Sequence, residues 1–349
     1  MSQTGLSVNA RFRCGPQTGV QRVAAELLPR LGLPNVEIKP GRATSGLKGH
    51  VWEQCALPVR NRGAPLWSPC NTGPLAVRRQ IVTIHDAAVF DHPEWFSRQF
   101  VATYRFLLPR LARTVRRIVT VSNFSRQRLA IALDLPESAI EVVWNGVAAH
   151  FAPASPDSIA ATAARYQVVP GRYFVTLSTL EPRKNLALTL SAWEMARERL
   201  PADMRLLLLG GAGKATIFAG GAAPPPTPGV VRAGFVPDED LAALIGGASA
   251  LLYPSHYEGF GLPVVEAMAC GTPVVTAATS SLPEVGGDAA LYVAPDDAAA
   301  LASALERLVA NETLRSDLRD AGLIQARRFS WDNAAAQMRH LLQRDLGLS

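Results

Sequence analysis

The chain has 349 residues, 48% of them hydrophobic and 18% charged, which exceeds one compact core and suits two domains of about 150–170 residues each. That length excludes a single small binding module, and 27 glycines, 26 prolines and no long polar tract exclude a disordered or fibrous chain. The net charge of +6 is unevenly spread: residues 1–170 carry 20 Lys and Arg against 10 Asp and Glu, whereas residues 171–349 carry 15 against 19. A basic first half suits an anionic acceptor, membrane headgroups or nucleic acid as its partner. The N-terminus lacks an apolar run behind basic residues, and no stretch approaches the roughly 18–20 apolar residues of a membrane span, so a cytoplasmic, non-integral protein is expected. Cys14, Cys55, Cys70 and Cys270 show no CxxC spacing, so they are read as buried or free thiols, with neither a disulfide framework nor a zinc site.

Short β-branched runs alternate with helical patterns along the whole chain, which predicts an α/β protein with parallel sheets and crossover helices. In the first half strands are expected near Ser7–Arg11, Val36–Lys39, Leu66–Ser68, Ile81–His85, Ile118–Ser122 and Ile140–Trp144. Helices separate them, among them Val20–Leu31 and a long one from Trp95 to Arg117 that Pro109 should kink. The proline-bounded segment His150–Gly171 shows no strand pattern and is taken as the domain boundary.

The second set of strands is expected at Tyr173–Ser178, Leu206–Leu209, Val230–Phe235, Ala250–Tyr253, Pro273–Thr276 and Ala290–Val293. Helices should start at Asn185 and Glu239, cover Val264–Ala269, and recur twice before the C-terminus, while "AGGAAPPPTPG" at 219–229 reads as a surface loop. The domains are thus 1–160 and 171–331, both doubly wound and Rossmann-like, with the C-terminal helix at about 332–349 packing back on the first. Each sheet places a ligand crevice at the carboxyl ends of its strands, and two such crevices facing one another suit an enzyme that joins two substrates.

The most informative stretch is "YPSHYEGFGLPVVEAMACGTPVV", Tyr253–Val275. A strand ends at Tyr253, a turn with Gly259 and Gly261 opens onto a helix, and Gly271 closes that helix before the next strand. Free N–H groups at such a turn can meet anionic or hydroxylated ligands, and Glu258 on the turn and Glu266 two helical turns on can accept hydrogen bonds from sugar or ribose hydroxyls. In "LSTLEPRKNL", Leu177–Leu186, Arg183 and Lys184 flank a helix start, where their charges can neutralise a diphosphate. Taken alone, the two glutamates also fit solvated helix charges and the basic pair a solvated helix start.

The Glu258-x7-Glu266 string with its Gly-Phe-Gly-Leu-Pro and Ala-Met-Ala-Cys-Gly-Thr-Pro surroundings resembles the signature of retaining GT-B glycosyltransferases of family 4, the group 1 glycosyl transferases, which use nucleotide-sugar donors. Arg183 and Lys184 match the family's diphosphate-binding segment, although an arginine common six positions before the lysine is Ser178 here. The first half adds weaker matches: "TGVQRVAAELL", "IHDAAVFDHPEWF", "VSNFSRQRLA" and "WNGVAAHFAP". Together they are similar to family members that act as mannosyl- or related glycosyltransferases on lipid-linked or polysaccharide acceptors.

The resemblance implies a glycine-rich loop at Gly15–Gly19 that touches the donor phosphates through Gly19, with Gln21 where a glycine is often found. It also implies that His85 contacts the donor sugar, that Asp86 orients His85 or the acceptor, and that Gly234, Phe235 and Val236 meet the nucleotide base. A histidine after a strand is also an ordinary satisfied structural residue, and Gly234–Val236 reads equally as a buried strand end. Gly259, Phe260, Gly261 and Leu262 would line the donor sugar with Glu258, Glu266 would hold the ribose, and Lys184, Glu258 and His85 would act in the transfer.

The implied function is retaining transfer of a hexosyl group, in first place mannosyl from GDP-mannose, to a glycan or lipid-linked acceptor in polysaccharide or glycolipid biosynthesis. No cofactor beyond the nucleoside-diphosphate sugar is expected. No metal is expected either, because no His-rich ligand cluster is visible and basic side chains are read as taking the diphosphate charge. A GT-B nucleotide-sugar epimerase or hydrolase is the rival enzyme. A nucleic-acid-binding protein is disfavoured by the lack of any zinc-finger, RRM or basic-tail signature. The helix from Trp95, with Phe96, Phe100, Tyr104 and Phe106 among Arg98, Arg105, Arg110, Arg113, Arg116 and Arg117, reads either as a core face backed by a solvated basic face or as a surface that docks on the inner face of the plasma membrane. Glu258, as a turn residue, is expected to be replaceable by alanine without loss of the fold.

Overall fold

The computed structural model describes residues 5–15, 19–41, 46–177, 181–211, 217 and 225–348. Contacts divide the chain into two compact units, the first made of residues 1–146 and 330–349 and the second of 147–329.

In the first unit β1 (Leu6–Asn9) is followed by α1 (Gly19–Arg30), β2 (Asn35–Ile38), α2 (Gly46–Asn61), β3 (Leu66–Ser68) and β4 (Gln80–Thr83). Then come α3 (Ala88–Asp91), α4 (Arg98–Ala112), β5 (Arg117–Thr120), α5 (Asn123–Leu133) and β6 (Ile140–Val142). The sheet order is β2-β1-β3-β4-β5-β6, every pair parallel, with Ser7 opposite Leu66 where β1 meets β3. The chain first steps from β1 outward to β2 and then returns to the far side of β1. The carboxyl ends of β1 and β3 therefore form a topological switch point.

The second unit runs α6 (Pro156–Arg165), β7 (Tyr173–Leu177), α7 (Leu186–Ala196), β8 (Arg205–Leu209), β9 (Val230–Gly234), α8 (Asp238–Gly246) and β10 (Ala250–Tyr253). It continues with α9 (Leu262–Ala269), β11 (Val274–Ala277), α10 (Leu282–Gly286), β12 (Leu291–Val293), α11 (Ala298–Ala310) and α12 (Glu312–Ala326). Its parallel sheet has the order β12-β11-β10-β7-β8-β9, so its switch point lies between β7 and β10, where Phe174 pairs with Ala250. The last helix, α13 (Trp331–Leu346), belongs to the first unit and packs on α1 and β4.

These elements follow from local chemistry. Every residue of β1, β4, β10 and β11 is buried, as expected of parallel strands covered on both faces. Helix starts carry oxygen caps: Ser97, Ser122, Ser155, Asp297, Asn311 and Ser330 each accept from a backbone N–H three residues on. Val82, Ile84, Leu108, Leu111, Ile118 and Leu129 belong to one core cluster, and Phe174, Trp193, Leu206, Leu252 and Leu305 to another in the second unit.

Several expectations are corrected. The segment 150–171 is no bare linker: Ser155 caps α6, and Arg165 and Tyr166 bind the carboxylate of Asp240 on α8, which places the helix in the second unit and the division at Gly146. The long helix starts at Arg98 rather than Trp95 and continues three residues past Pro109. Arg117 is not on it but opens β5, paired with Asp345 at 2.9 Å. After α9 the chain forms more than two helices, because Asn311 and Ser330 each cap a new one. Ser178 and most of the 219–229 loop lie outside the described residues. Among the described residues no helix is long and apolar enough to cross a membrane.

Candidate active site

The charged centre of the second unit sits at its switch point. β7 and β10 are neighbours, so the segments that leave their carboxyl ends, Glu181–Asn185 and Pro254–Glu258, run side by side. The His256 N–H donates to the Arg183 carbonyl at 2.8 Å, and the Asn185 amide donates to the Pro254 and Pro295 carbonyls at 3.0 and 2.6 Å. Asn185 has φ +55°, a left-handed conformation that asparagine tolerates, and this turns the chain from the Pro182–Lys184 turn into α7.

Glu258 is 6% exposed and both its carboxylate oxygens are engaged. Oε1 accepts from Lys184 Nζ at 2.7 Å and from the Tyr253 hydroxyl at 2.8 Å, and Oε2 accepts from Arg183 Nη1 at 2.8 Å. Lys184 also donates to the Tyr253 hydroxyl and lies over that ring, 4.8 Å from its centroid. Arg183 Nε donates to Glu181 at 2.8 Å, so two cations and two carboxylates form a network of zero net formal charge.

Burial raises the Glu258 pKa, but the charges of Arg183 and Lys184 outweigh it and hold the carboxyl at about 2. Burial, with the neighbouring Arg183 charge, lowers the Lys184 ammonium from its ordinary value against the pull of Glu258. Tyr253 is pushed well above its ordinary value, first by burial and then by Glu258, so its hydroxyl stays protonated and can donate. The backbone is fixed as well: the Glu258 N–H donates to Ser280 Oγ at 3.0 Å, and the Ser281 hydroxyl lies 2.8 and 2.9 Å from the carbonyls of Glu258 and Phe260.

Gly259, Phe260 and Gly261 are buried and Leu262 is half-buried. Gly261 stands at φ +102° ahead of α9, a left-handed conformation that residues with a side chain rarely adopt, so glycine is required there. Glu266 lies on α9 at 3% exposure, and the Cys270 thiol is pushed up to about 12 by burial and then by the Glu266 charge. Gly234 closes β9 at φ +69°, Phe235 is 85% exposed, and Val236 is buried.

In the first unit His85 is buried, and its Nε2 lies 3.0 Å from the Pro69 carbonyl, which can only accept; the proton therefore sits on Nε2. Burial lowers its pKa despite that bond and the nearby Asp86, so the ring is neutral. Asp86 accepts from the Ala88 N–H at 3.0 Å and shapes the turn into α3. Gly19 is the exposed first residue of α1, and residues 16–18 of the expected loop lie outside the described ones.

The structure thus brings Arg183, Lys184 and Glu258 into one cluster. It adds Tyr253, Glu181, Ser280 and Ser281, which the sequence reading did not assign; the signal for Tyr253 was a tyrosine closing an otherwise aliphatic buried strand.

Two parallel-sheet units, with a buried cation and carboxylate cluster at a switch point, define the GT-B architecture of nucleotide-sugar enzymes. Residues 168–324 match the model of the "Glycosyl transferases group 1" family and residues 63–151 that of "Glycosyltransferase Family 4". The chain belongs to this family and is a glycosyltransferase. It is 34% identical to O-antigen chain mannosyltransferase B of Escherichia coli over 76% of this chain and 70% of that protein. It is 28% identical to the serotype-specific mannosyltransferase WbdA of Escherichia coli over 62% of this chain, which spans only 27% of WbdA. Among solved structures, Anabaena Alr3699/HepE in complex with UDP and glucose superposes with a TM-score of 0.75 at 18% identity, over 98% of this chain and 99% of that one, a likeness of fold.

Proposed function

We propose that the chain transfers a mannosyl group from GDP-mannose to a hydroxyl of a glycan or lipid-linked saccharide in polysaccharide or glycolipid biosynthesis, with retention of anomeric configuration. The observation that carries this reading is the Arg183–Lys184–Glu258 network at the β7–β10 switch point, and the mannosyltransferase names of the similar proteins support the sugar. The departing diphosphate gathers negative charge, which Arg183 and Lys184 stabilise. Glu258 holds the sugar hydroxyls, Glu266 the ribose, and Gly259–Leu262 line the sugar. Gly19 approaches the phosphates, Phe235 and Val236 approach the base, and neutral His85 meets the sugar with Asp86 beside it. The transfer is a same-face substitution in which the leaving phosphate takes the acceptor proton. Neither Glu258 oxygen is assigned as a nucleophile, since both are already committed to cations and a phenol. Incubation with GDP-mannose, UDP-glucose and ADP-glucose and a mannose-terminated oligosaccharide tests this: an α-linked product from GDP-mannose alone is expected. Donor consumption that is indifferent to acceptor would instead mark a hydrolase or epimerase.

Basic side chains carry the diphosphate charge in this reading, so activity is expected to persist in EDTA; loss of turnover restored by magnesium or manganese would overturn it.

A peripheral membrane contact on the cytoplasmic face is proposed through α4, whose outer side exposes Arg98, Arg105 and Arg110, followed by Arg113 and Arg116. Phe106 is 57% exposed, with the Arg110 guanidinium 3.8 Å above its ring. The first unit carries 21 Lys and Arg against 11 Asp and Glu. Each basic residue near an anionic surface contributes about 1 kcal/mol, so attachment should be weak and lost in salt. Co-sedimentation with vesicles of anionic lipid at low salt, and neither with neutral vesicles nor at high salt, is the expected result.

A further inference from the structure

Tyr253 is a buried phenol of the second unit that none of the roles above uses. It closes β10, whose other residues are Ala250, Leu251 and Leu252. Ala250 and Leu252 join the core cluster around Phe174, so the alternation of a strand turns the Tyr253 ring to the opposite face. Its backbone is fixed: Thr276 of β11 stands opposite in the ladder and donates its hydroxyl to the Tyr253 carbonyl at 2.8 Å. Packing at this position calls for an aromatic ring, which phenylalanine would supply. The hydroxyl is an addition, and taking it out of water costs free energy unless it is bonded. Here it has two partners, both charged: it donates to Glu258 Oε1 at 2.8 Å and accepts from Lys184.

We infer that Tyr253 is a positioning residue that holds the Lys184 ammonium in place to meet the leaving diphosphate. Lys184 Nζ, the phenol oxygen and Glu258 Oε1 close a triangle in which the ammonium donates to both oxygens and the phenol donates to the carboxylate. A lysine ends in a compact charge on a flexible stem with three rotatable donors, so a single bond to Glu258 would leave the ammonium free to turn about it. The second bond, to the phenol, stops that rotation, and the ring 4.8 Å away closes one side of the ammonium. Two of its three N–H donors are then committed, and the third is left for a ligand. The charged groups that face Lys184 are Arg183 and Glu181 from its own segment and Glu258 from the segment after β10, so the phenol is the neutral member of the set. A neutral acceptor orients the ammonium without cancelling its charge, which a further carboxylate in that place would do. Donors help a leaving group most when they are held in position before the charge develops. Tyr253 thus acts through Lys184, a role that rests on the reading of Lys184 as a residue that meets the diphosphate.

The test compares wild type, Tyr253→Phe, Lys184→Ala and the double variant on the donor among GDP-mannose, UDP-glucose and ADP-glucose that wild type turns over, with a mannose-terminated oligosaccharide as acceptor. Tyr253→Phe keeps the ring and strands no charge, since Lys184 and Glu258 still bind each other, so its thermal unfolding should stay close to that of wild type. Its kcat is expected to fall about tenfold, the scale of one hydrogen bond to a charged group. The donor KM should stay within about twofold of wild type, because the lost help is felt as the diphosphate departs. In the Lys184→Ala background the same change should cost nothing further, the coupling expected when one residue acts through the other. A wild-type kcat in Tyr253→Phe overturns the inference by itself, and so does a loss carried by donor KM alone. A loss that adds in full to that of Lys184→Ala overturns it too, because the hydroxyl would then act on Glu258 or on the fold. If Lys184→Ala keeps the wild-type rate, the diphosphate role of Lys184 fails and takes this inference with it.

Discussion

Replacing Glu258 by alanine is expected to abolish transfer and also to lower the stability of the fold by about 3–5 kcal/mol, the usual cost of stranding a buried charge. The sequence alone suggested a turn residue that packing does not need. The structure shows a carboxylate at 6% exposure that holds Lys184, Arg183 and the Tyr253 hydroxyl, so alanine leaves two cations facing a void. Glu258→Gln keeps the volume and an acceptor for Tyr253. It should unfold at a temperature between those of the wild type and the alanine variant while transfer stays lost. The pH dependence supplies a separate check. The Glu258 carboxyl, ordinarily at 4.5, titrates at about 2 in the folded chain, so its contribution is fully present above pH 4.5 and is lost as pH falls toward 2. The stability gap between wild type and Glu258→Gln should therefore shrink across that window in denaturant titrations. A gap constant from pH 6 to pH 3 would show that the ion pairs do not matter to the fold, and wild-type turnover in Glu258→Ala would remove the residue from the mechanism.

Lys184→Ala should reduce kcat/KM by about ten- to a hundredfold, since a hydrogen bond to a charged group is worth about 1.5–3 kcal/mol. Because Lys184 also binds Glu258, the alanine variant leaves that carboxylate with Arg183 and Tyr253 and should be moderately destabilised. Lys184→Arg should recover only part of the rate: the ammonium sits between the Tyr253 ring and Glu258, with 12% of its side chain exposed, and a guanidinium is larger and planar. Burial lowers the Lys184 pKa, so wild-type kcat/KM should fall on the alkaline side below the ordinary lysine value, and Lys184→Arg should lack that limb. An unchanged rate and donor affinity in Lys184→Ala would rule out the diphosphate role.

The parallel sheets could be read in advance because buried parallel strands are short continuous apolar runs. Leu66–Ser68 and Ala250–Tyr253 match to the residue, and the other strands differ mainly at their ends, as Asn9 shows where the chain turns at once into a 3-10 turn. Helix α2 was less visible. Gly46, Gly49 and Pro58 weaken its pattern, and Leu47, Val51 and Val59 face outward at 57, 55 and 75% exposure, which blurs the apolar stripe. In α6 one of the prolines that bound the expected linker, Pro156, opens the helix behind the Ser155 cap. At the site, Arg183, Lys184 and Glu258 carried recognisable spacing. Their mutual engagement did not show, because it depends on β7 lying beside β10 and joins residues 74 and 75 positions apart. Tyr253, five positions before Glu258, opens the most informative stretch but read only as the end of a strand.

The interleaving of the two units along the chain affects how the protein is made. The second unit is one continuous stretch, 147–329, and can condense as soon as it has emerged during synthesis. The first unit, although it begins at the N-terminus, waits for its last element. Helix α13 brings Trp331, Met338 and Leu342, at 3, 0 and 0% exposure, and Arg79 binds the Leu346 carbonyl. Until then the faces of α1 and β4 that α13 covers stay open, so the nascent chain completes its later half first while the first unit, whose strands are all made by Val142, waits for its covering helix.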